Sequence, residues 1–170
     1  DPDRGRVLCR DGANAAAVVR ELRTTNGEFT ELCEFLGRVV PGMIEVECIP
    51  SGTHETLQFK QDVGDSRKQP LTFMPTSISD GTLRVLGVLL AVYQRSRPPV
   101  LGIEEPESTV HPAAAEVLFD VIRHGTRWSQ ILVTTHSPEL IEHKDVRIED
   151  LRAVDMQRGE TVVTELDESS

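Results

Sequence analysis

The sequence predicts an α/β fold in which a parallel βαβ unit follows a mixed α+β segment. Two short apolar runs, at 99–103 and 129–137, have the length and composition of buried parallel strands. A segment with helical periodicity at 111–126 separates them, and this order of strand, helix and strand is that of a right-handed crossover. Apolar and polar residues alternate within 43–61, as they do in half-buried antiparallel strands.

Two helices are predicted before the alternating segment. The first, 11–27, is rich in alanine, begins with a capping Asp or Asn, and is expected to end at Asn26-Gly27. The second, 28–42, has one apolar face. The alternating residues are expected to form a hairpin, and 62–70 a polar loop.

The second half opens with a strongly apolar helix, 79–96, that has a polar start. A short helix at 138–143 follows the second buried strand, and two closing strands are expected to turn at Arg158-Gly159. The chain therefore divides into a mixed α+β lead-in, a parallel α/β core, and closing strands with a tail. The predicted boundaries of these three parts are 1–75, 76–145 and 146–170.

Composition excludes several classes of protein. The 170 residues are 38% hydrophobic, enough for the core of one domain. A net charge of −10 argues against a broadly basic nucleic-acid-binding surface, although Arg84, Arg95 and Arg97 could form a local basic strip. The three cysteines show neither a disulfide framework nor zinc-site spacing, which favours a reducing cytoplasm. No apolar run approaches the ~20 residues that span a bilayer, so we expect no membrane partner.

The polar start of the apolar helix can bind an anion. Ser79 and Asp80 are good helix caps, and Gly81 lets another group approach the backbone. A helix amino terminus presents unpaired N–H groups and a partial positive charge. The alternative is a plain helix cap, and the motif by itself does not separate the two interpretations.

Acidic residues and a histidine follow the two buried strands. Glu104 and Glu105 come after the first strand, and His136 ends the second. Open parallel sheets bind ligands at this edge. A carboxylate there can hold Mg²⁺ or activate water during phosphoryl transfer, and a histidine can donate to a phosphate oxygen. The alternative is an exposed acidic turn and a histidine bonded to loop backbone. Glu107 is expected to be an exposed loop acid.

Taken together, the segments "SDGTLR", "VLGIEEPESTVHP" and "ILVTTHSPELI" resemble the C-terminal lobe of ABC-type ATPases of the RecF/SMC/OLD group. They are most similar to the AAA family ATPases of bacterial defence and toxin–antitoxin loci. The resemblance covers about residues 76–143. It implies the C-terminal part of a P-loop NTPase fold, with a parallel βαβ core, flanking helices and a small antiparallel element.

The resemblance implies a role for each motif in ATP hydrolysis. Residues 100–105 would be the Walker B segment, with Glu104 associated with Mg²⁺ and Glu105 as the catalytic glutamate. His136 would be the switch histidine. Two further motifs, the signature and the D-loop, would bind ATP and form the surfaces of an ATP-driven homodimer. Their residues are Ser79, Asp80, Gly81, Ser108 and His111.

The sequence departs from the family pattern in three ways. Glu104 stands where the family usually has aspartate, and Asp80 makes the signature S-D-G rather than S-G-G. The chain contains no GxxxxGK[ST] phosphate loop, which the family carries in an N-terminal lobe. The chain is therefore expected to be the C-terminal part of a longer ATPase. The missing regions would also contact any nucleic acid or effector protein, in DNA maintenance or phage defence.

Two other functions stay open on the sequence. One is a non-catalytic interaction module that keeps the ATPase fold without its activity. The other is a metal-dependent hydrolase or nuclease that uses two carboxylates and two histidines. Its candidate ligands would be Glu104, Glu105, His111 and His136, but the chain lacks the HExxH motif and a facing Asp cluster.

Overall fold

The computed structural model describes residues 5–64 and 69–166, which fall into two units. The first unit ends at His136 and the second begins at Ser137. Part of the predicted polar loop at 62–70 lies outside the described residues. Within the described ranges, no helix has the length and apolar character needed to cross a membrane.

The first two helices are α1 (Ala15–Leu22) and α2 (Asn26–Val39). The prediction that Asn26-Gly27 ends the first helix is wrong, because these residues begin the second. The first helix ends earlier because the hydroxyls of Thr24 and Thr25 donate to carbonyl oxygens of its last residues. The second predicted helix is confirmed and ends just before its Pro-Gly stop.

An antiparallel sheet follows, with strands β1 (Met43–Ser51), β2 (His54–Gln61) and β3 (Leu71–Phe73) in that order. The predicted hairpin is confirmed, and its register places Val46 opposite Phe59. Both side chains are fully buried in the core that α1 and α2 help to cover. The third strand was not predicted, because three residues are too few to show alternation.

The remaining elements of the first unit are α3 (Asp80–Tyr93), β4 (Val100–Glu104), α4 (Pro112–Gly125) and β5 (Gln130–Thr134). The strands β4 and β5 are parallel and in register from their first residues to their last, so the predicted βαβ unit is confirmed. Helix α3 is almost entirely apolar because it packs against α1, α2 and α4.

The second unit contains the short helix α5 (Pro138–Ile141) and a hairpin of β6 (Arg152–Gln157) and β7 (Glu160–Glu165). Its turn is at Arg158-Gly159, as predicted, and both residues have positive φ, 54° and 87°. Two consecutive positive φ values are typical of the tight turns that match the twist of antiparallel strands. The α/β fold class is thus confirmed, with parallel and antiparallel sheets in one chain.

Candidate functional site

Glu105 and His136 lie side by side at the carboxyl edge of the parallel sheet. Glu104 is the last residue of β4 and pairs with Thr134, the last residue of β5. Glu105 follows directly, and His136 follows two residues after its own strand. The His136 Nε2 atom lies 3.7 Å from Glu105 Oε1, which is too long for a hydrogen bond. The side chains are 91% and 48% exposed, so both can reach a ligand from solvent.

The backbone of Glu105 is held in an uncommon conformation. Its φ is 40°, in the left-handed region that non-glycine residues seldom adopt. Its N–H donates to the Thr134 carbonyl at 2.9 Å, and its own carbonyl accepts from the Ser108 N–H at 3.0 Å. Backbone strain of this kind persists where surrounding bonds enforce it, and it is common at functional sites. These bonds fix the backbone of Glu105 just beyond the end of β4.

Arg84 adds a further restraint that the sequence did not reveal. Its Nη2 group donates to the carbonyl oxygens of both Glu104 and Glu105, at 2.9 Å in each case. Arg84 lies on α3, one helical turn after Gly81, so it connects the helix start to the end of the strand. In the sequence, Arg84 could be seen only as an arginine close to the polar helix start and as a member of a possible basic strip.

The three arginines of that strip have separate partners. Arg95 donates to the Thr24 hydroxyl at 2.9 Å. Arg97 forms an ion pair with Glu28 and lies over the Trp128 ring, 4.1 Å from its centroid. Their cationic groups therefore each bind a residue of the chain itself, and the basic strip stays a prediction.

The polar start of α3 has the local structure of a helix cap. Ser79 is the N-cap residue, and its Oγ accepts a hydrogen bond from the Thr82 N–H at 3.2 Å. Ser79 and Asp80 are both exposed. Helix starts leave N–H groups of the first turn without a partner inside the helix. The anion-binding role of this helix start stays a prediction.

Gly81 brings the helix start against the loop that follows Glu105. A Cβ atom added at Gly81 would lie 2.5 Å from the Thr109 carbonyl oxygen, closer than any side chain allows. Thr109 itself has a positive φ of 68°. The two predicted homodimer motifs, the signature and the D-loop, are therefore neighbours within one chain.

Replacing Gly81 with alanine is expected to destabilise the chain by about 1–3 kcal/mol, because a methyl group would push against backbone. The matched control is Gly87→Ala on the same helix, where an added Cβ meets nothing within 4 Å. That control should be stabilising by about 0.5–1 kcal/mol, since alanine favours a helix interior. Urea unfolding followed by circular dichroism measures both. Equal effects of the two substitutions would contradict the close approach.

The remaining D-loop residues lie on either side of Thr109. Ser108 is half-buried, and its N–H donates to the Glu105 carbonyl. His111 is exposed at the entry to α4, where its carbonyl accepts from the Ala114 N–H at 2.7 Å. The structure thus ties Ser108 to Glu105 through backbone and places His111 at the far end of the loop.

The prediction that Glu107 is an exposed loop acid is wrong. Its side chain is half-buried, and Oε1 accepts a hydrogen bond from the Thr135 hydroxyl at 2.5 Å. The other oxygen, Oε2, is buried and has no hydrogen-bond partner among the described residues. The loop folds back on the sheet edge, which a reading of local polarity cannot predict.

The carboxylates at the sheet edge fit a magnesium ion that is held together with a phosphate ligand. No group of three or more His, Cys, Asp or Glu side chains in the described ranges could enclose a metal. Magnesium usually keeps several waters and takes only one or two carboxylates plus substrate phosphates. The exposed carboxylate of Glu104 could supply one such ligand. A nuclease that needs Glu104, Glu105, His111 and His136 as one metal cluster gains no support from their arrangement.

Within residues 5–64 and 69–166, one face of the parallel sheet has no covering layer. Leu101, Ile103 and Ile131 pack towards the core, whereas Val100 and Leu132 on the opposite face are 49% and 59% exposed. A groove of about 910 Å³ lies along this sheet, the adjoining surface of α3 and the loop 8–12. Parallel sheets are normally covered on both faces and contain more than two strands.

The chain matches one protein family over residues 37–142. The description of that family is "AAA domain, putative AbiEii toxin, Type IV TA system". No curated protein matches the chain.

Several solved structures of SMC head ATPases are similar in fold. One, described under "ATP-driven dimerization and DNA stimulated activation of SMC ATPases", has a TM-score of 0.61 and 16% identity, with coverage of 88% of this chain and 89% of that chain. The Smc head domain from Pyrococcus furiosus gives a TM-score of 0.62 at 16% identity, with coverage of 87% and 36%. The SMC head domain from Thermotoga maritima gives 0.54 at 14%, with coverage of 89% and 52%.

These likenesses show that the fold is that of SMC head P-loop ATPase domains. The chain spans about a third of the Pyrococcus furiosus protein and about half of the Thermotoga maritima protein.

Proposed function

Since the chain belongs to the AAA domain family that is described with AbiEii-type toxins of type IV toxin–antitoxin systems, we propose that it is the C-terminal part of an ATP-hydrolysing enzyme. The observation that carries this proposal is the pair formed by Glu105 and His136. Their side-chain atoms lie 3.7 Å apart at the carboxyl edge of a parallel sheet, next to a second exposed carboxylate. Open α/β sheets bind their ligands at this edge.

Each residue of the pair has a distinct chemical role. Glu105 orients the attacking water and accepts its proton, which a carboxylate held at a fixed backbone angle is suited to do. His136 donates a hydrogen bond to an oxygen of the transferred phosphoryl group. Glu104 takes part in binding Mg²⁺, which when bound neutralises charge that develops on the phosphates. The gap between Glu105 and His136 leaves both free to turn towards substrate.

The phosphate cradle must come from polypeptide outside these residues. The sequence has no GxxxxGK[ST], so it lacks the lysine and backbone loop that hold the β- and γ-phosphates. The uncovered face of the β4–β5 sheet supports this, because exposed Val100 and Leu132 need a covering layer. A segment that adds strands to this sheet would also bring a phosphate loop close to Glu104, which borders the same groove.

ATP would be shared between two copies of the chain. Ser79 at the start of α3 and the loop after Glu105 would face the partner protomer, since Ser79 and, in that loop, Thr109 are exposed. A helix amino terminus stabilises negative charge, so the partner's helix start is suited to the γ-phosphate. The similar SMC ATPase described with ATP-driven dimerization supports this arrangement. The dimer would act in the cytoplasm in phage defence or DNA maintenance.

Completion of the sheet provides the direct test. The chain is co-expressed with, or joined to, the segment that precedes it in its gene, and ATP hydrolysis is measured by phosphate release. We expect turnover only in the completed protein and only when Mg²⁺ is present. A completed protein that contains a phosphate-loop lysine yet neither binds nor hydrolyses ATP would overturn the proposal.

A further inference from the structure

The loop after Glu105 is connected to the strand that carries His136 by a side-chain hydrogen bond. The Thr135 hydroxyl donates to Glu107 Oε1 over 2.5 Å, although the two residues are 28 positions apart in the chain. This length is within the range of O–H donors bound to a charged carboxylate, which form stronger hydrogen bonds than neutral pairs do. Both residues are half-buried, so water competes weakly for the bond.

Thr135 stands at the point where sheet pairing stops. The strand β5 ends at Thr134, whose register partner is Glu104, so the ladder does not hold the residues beyond. His136 is the next residue and is 91% exposed. An exposed imidazole beyond the end of a strand has little packing to orient it, and the bond of the preceding residue to Glu107 limits its backbone freedom.

Glu107 is also restrained on its own side. The preceding residue, Pro106, is buried. The backbone carbonyl of Glu107 accepts a hydrogen bond from the Val110 N–H at 3.0 Å. Its second carboxylate oxygen is buried without a partner among the described residues, which costs free energy that a purely structural loop could avoid with an apolar residue. A buried polar atom without a partner calls for an explanation, and its place beside the candidate site suggests a functional one.

We propose that Glu107 is a positioning residue, which holds His136 opposite Glu105 by binding Thr135. The inference rests on the proposed ATP hydrolysis for its effect on turnover, but the positioning itself is a property of this chain alone. It assigns the loop a second task, since the same segment that would face a partner protomer also sets the place of the histidine.

The first experiment measures position without ATP. Thr135→Val removes the hydroxyl at nearly constant shape, and Thr135→Ser keeps it. The NMR resonances of the His136 imidazole are compared between these variants and the unchanged chain. We expect clear shifts in Thr135→Val and in Glu107→Ala, and near-normal resonances in Thr135→Ser. Unshifted His136 resonances in Thr135→Val would overturn the inference whether or not the protein hydrolyses ATP.

The second experiment measures turnover in the completed protein. Thr135→Val should reduce kcat about tenfold with little change in KM, because a misplaced catalytic group affects the transition state more than binding. Thr135→Ser should restore most of the rate, and Glu116→Ala on the exposed surface of α4 should leave it unchanged. Equal kcat values in Thr135→Val and the unchanged protein would reject the positioning role. Lack of ATP hydrolysis in the unchanged completed protein would instead reject the proposed function.

Discussion

Replacement of Glu105 by glutamine in the completed protein is expected to lower kcat for ATP hydrolysis by about 10²–10⁴-fold. Glutamine is close to glutamate in size and keeps one acceptor oxygen, but it cannot take a proton from water. The three backbone contacts at Glu105, from Arg84 and Ser108 and to Thr134, do not use its side chain. The variant should therefore fold normally and lose only the chemical step.

ATP binding supplies the internal control for this substitution. Because Glu105 is proposed to orient water and to bind neither phosphate nor Mg²⁺, the Kd for ATP of Glu105→Gln should stay within a few-fold of its original value. Glu116→Gln, which removes an exposed carboxylate of α4, should change neither kcat nor Kd. Turnover that survives Glu105→Gln would favour the rival interpretation, a non-catalytic interaction module.

Mixing two inactive variants is expected to restore activity if ATP is shared between protomers. Ser79→Arg places a bulky cation at the start of α3, and Glu105→Gln removes the proposed catalytic carboxylate. Each variant alone should be inactive, because both sites of a symmetric dimer then carry the same defect. In a mixed dimer one site receives intact Ser79 from one chain and intact Glu105 from the other.

The fraction of mixed dimers sets how much ATPase activity should return. Equal amounts of the two variants give mixed dimers in about half of the population, each with one intact site of two, so about a quarter of the original activity should return. Phosphate release after mixing measures this gain, and mixing each variant with itself is the control. A site contained within one protomer would show no recovery, because every site would then carry a defect.

Local patterns predicted most of the elements. Alternation over 43–61 indicated the hairpin, and two apolar runs with a helix between them indicated the βαβ unit, because strand and helix periods differ. The local patterns gave a wrong helix boundary where individual side-chain hydrogen bonds decide it. The Asn26-Gly27 pair was expected to stop a helix, yet two threonine hydroxyls end that helix earlier and leave the pair to begin the next.

The sequence by itself also determined which residues follow the strands, and parallel strands place such residues at one edge of the sheet. The nearness of Glu105 and His136 follows from that rule. The hydrogen bonds and packing contacts that hold these residues in place do not follow from that rule. Arg84 reaches across to Glu104 and Glu105, Gly81 meets the Thr109 carbonyl, and Glu107 is drawn inward to Thr135.

Only the tertiary structure decided those contacts, for a physical reason. Periodicity reports which face of an element is apolar, and so which way it packs. Periodicity carries no information on the position of α3 along the sheet, or on how the loop after Glu105 folds back. Those displacements are set by side-chain volumes across the whole core, where a shift of one residue would separate Arg84 from the strand end. Glu107 therefore looked like a solvated acid in the sequence and is a half-buried acceptor in the fold.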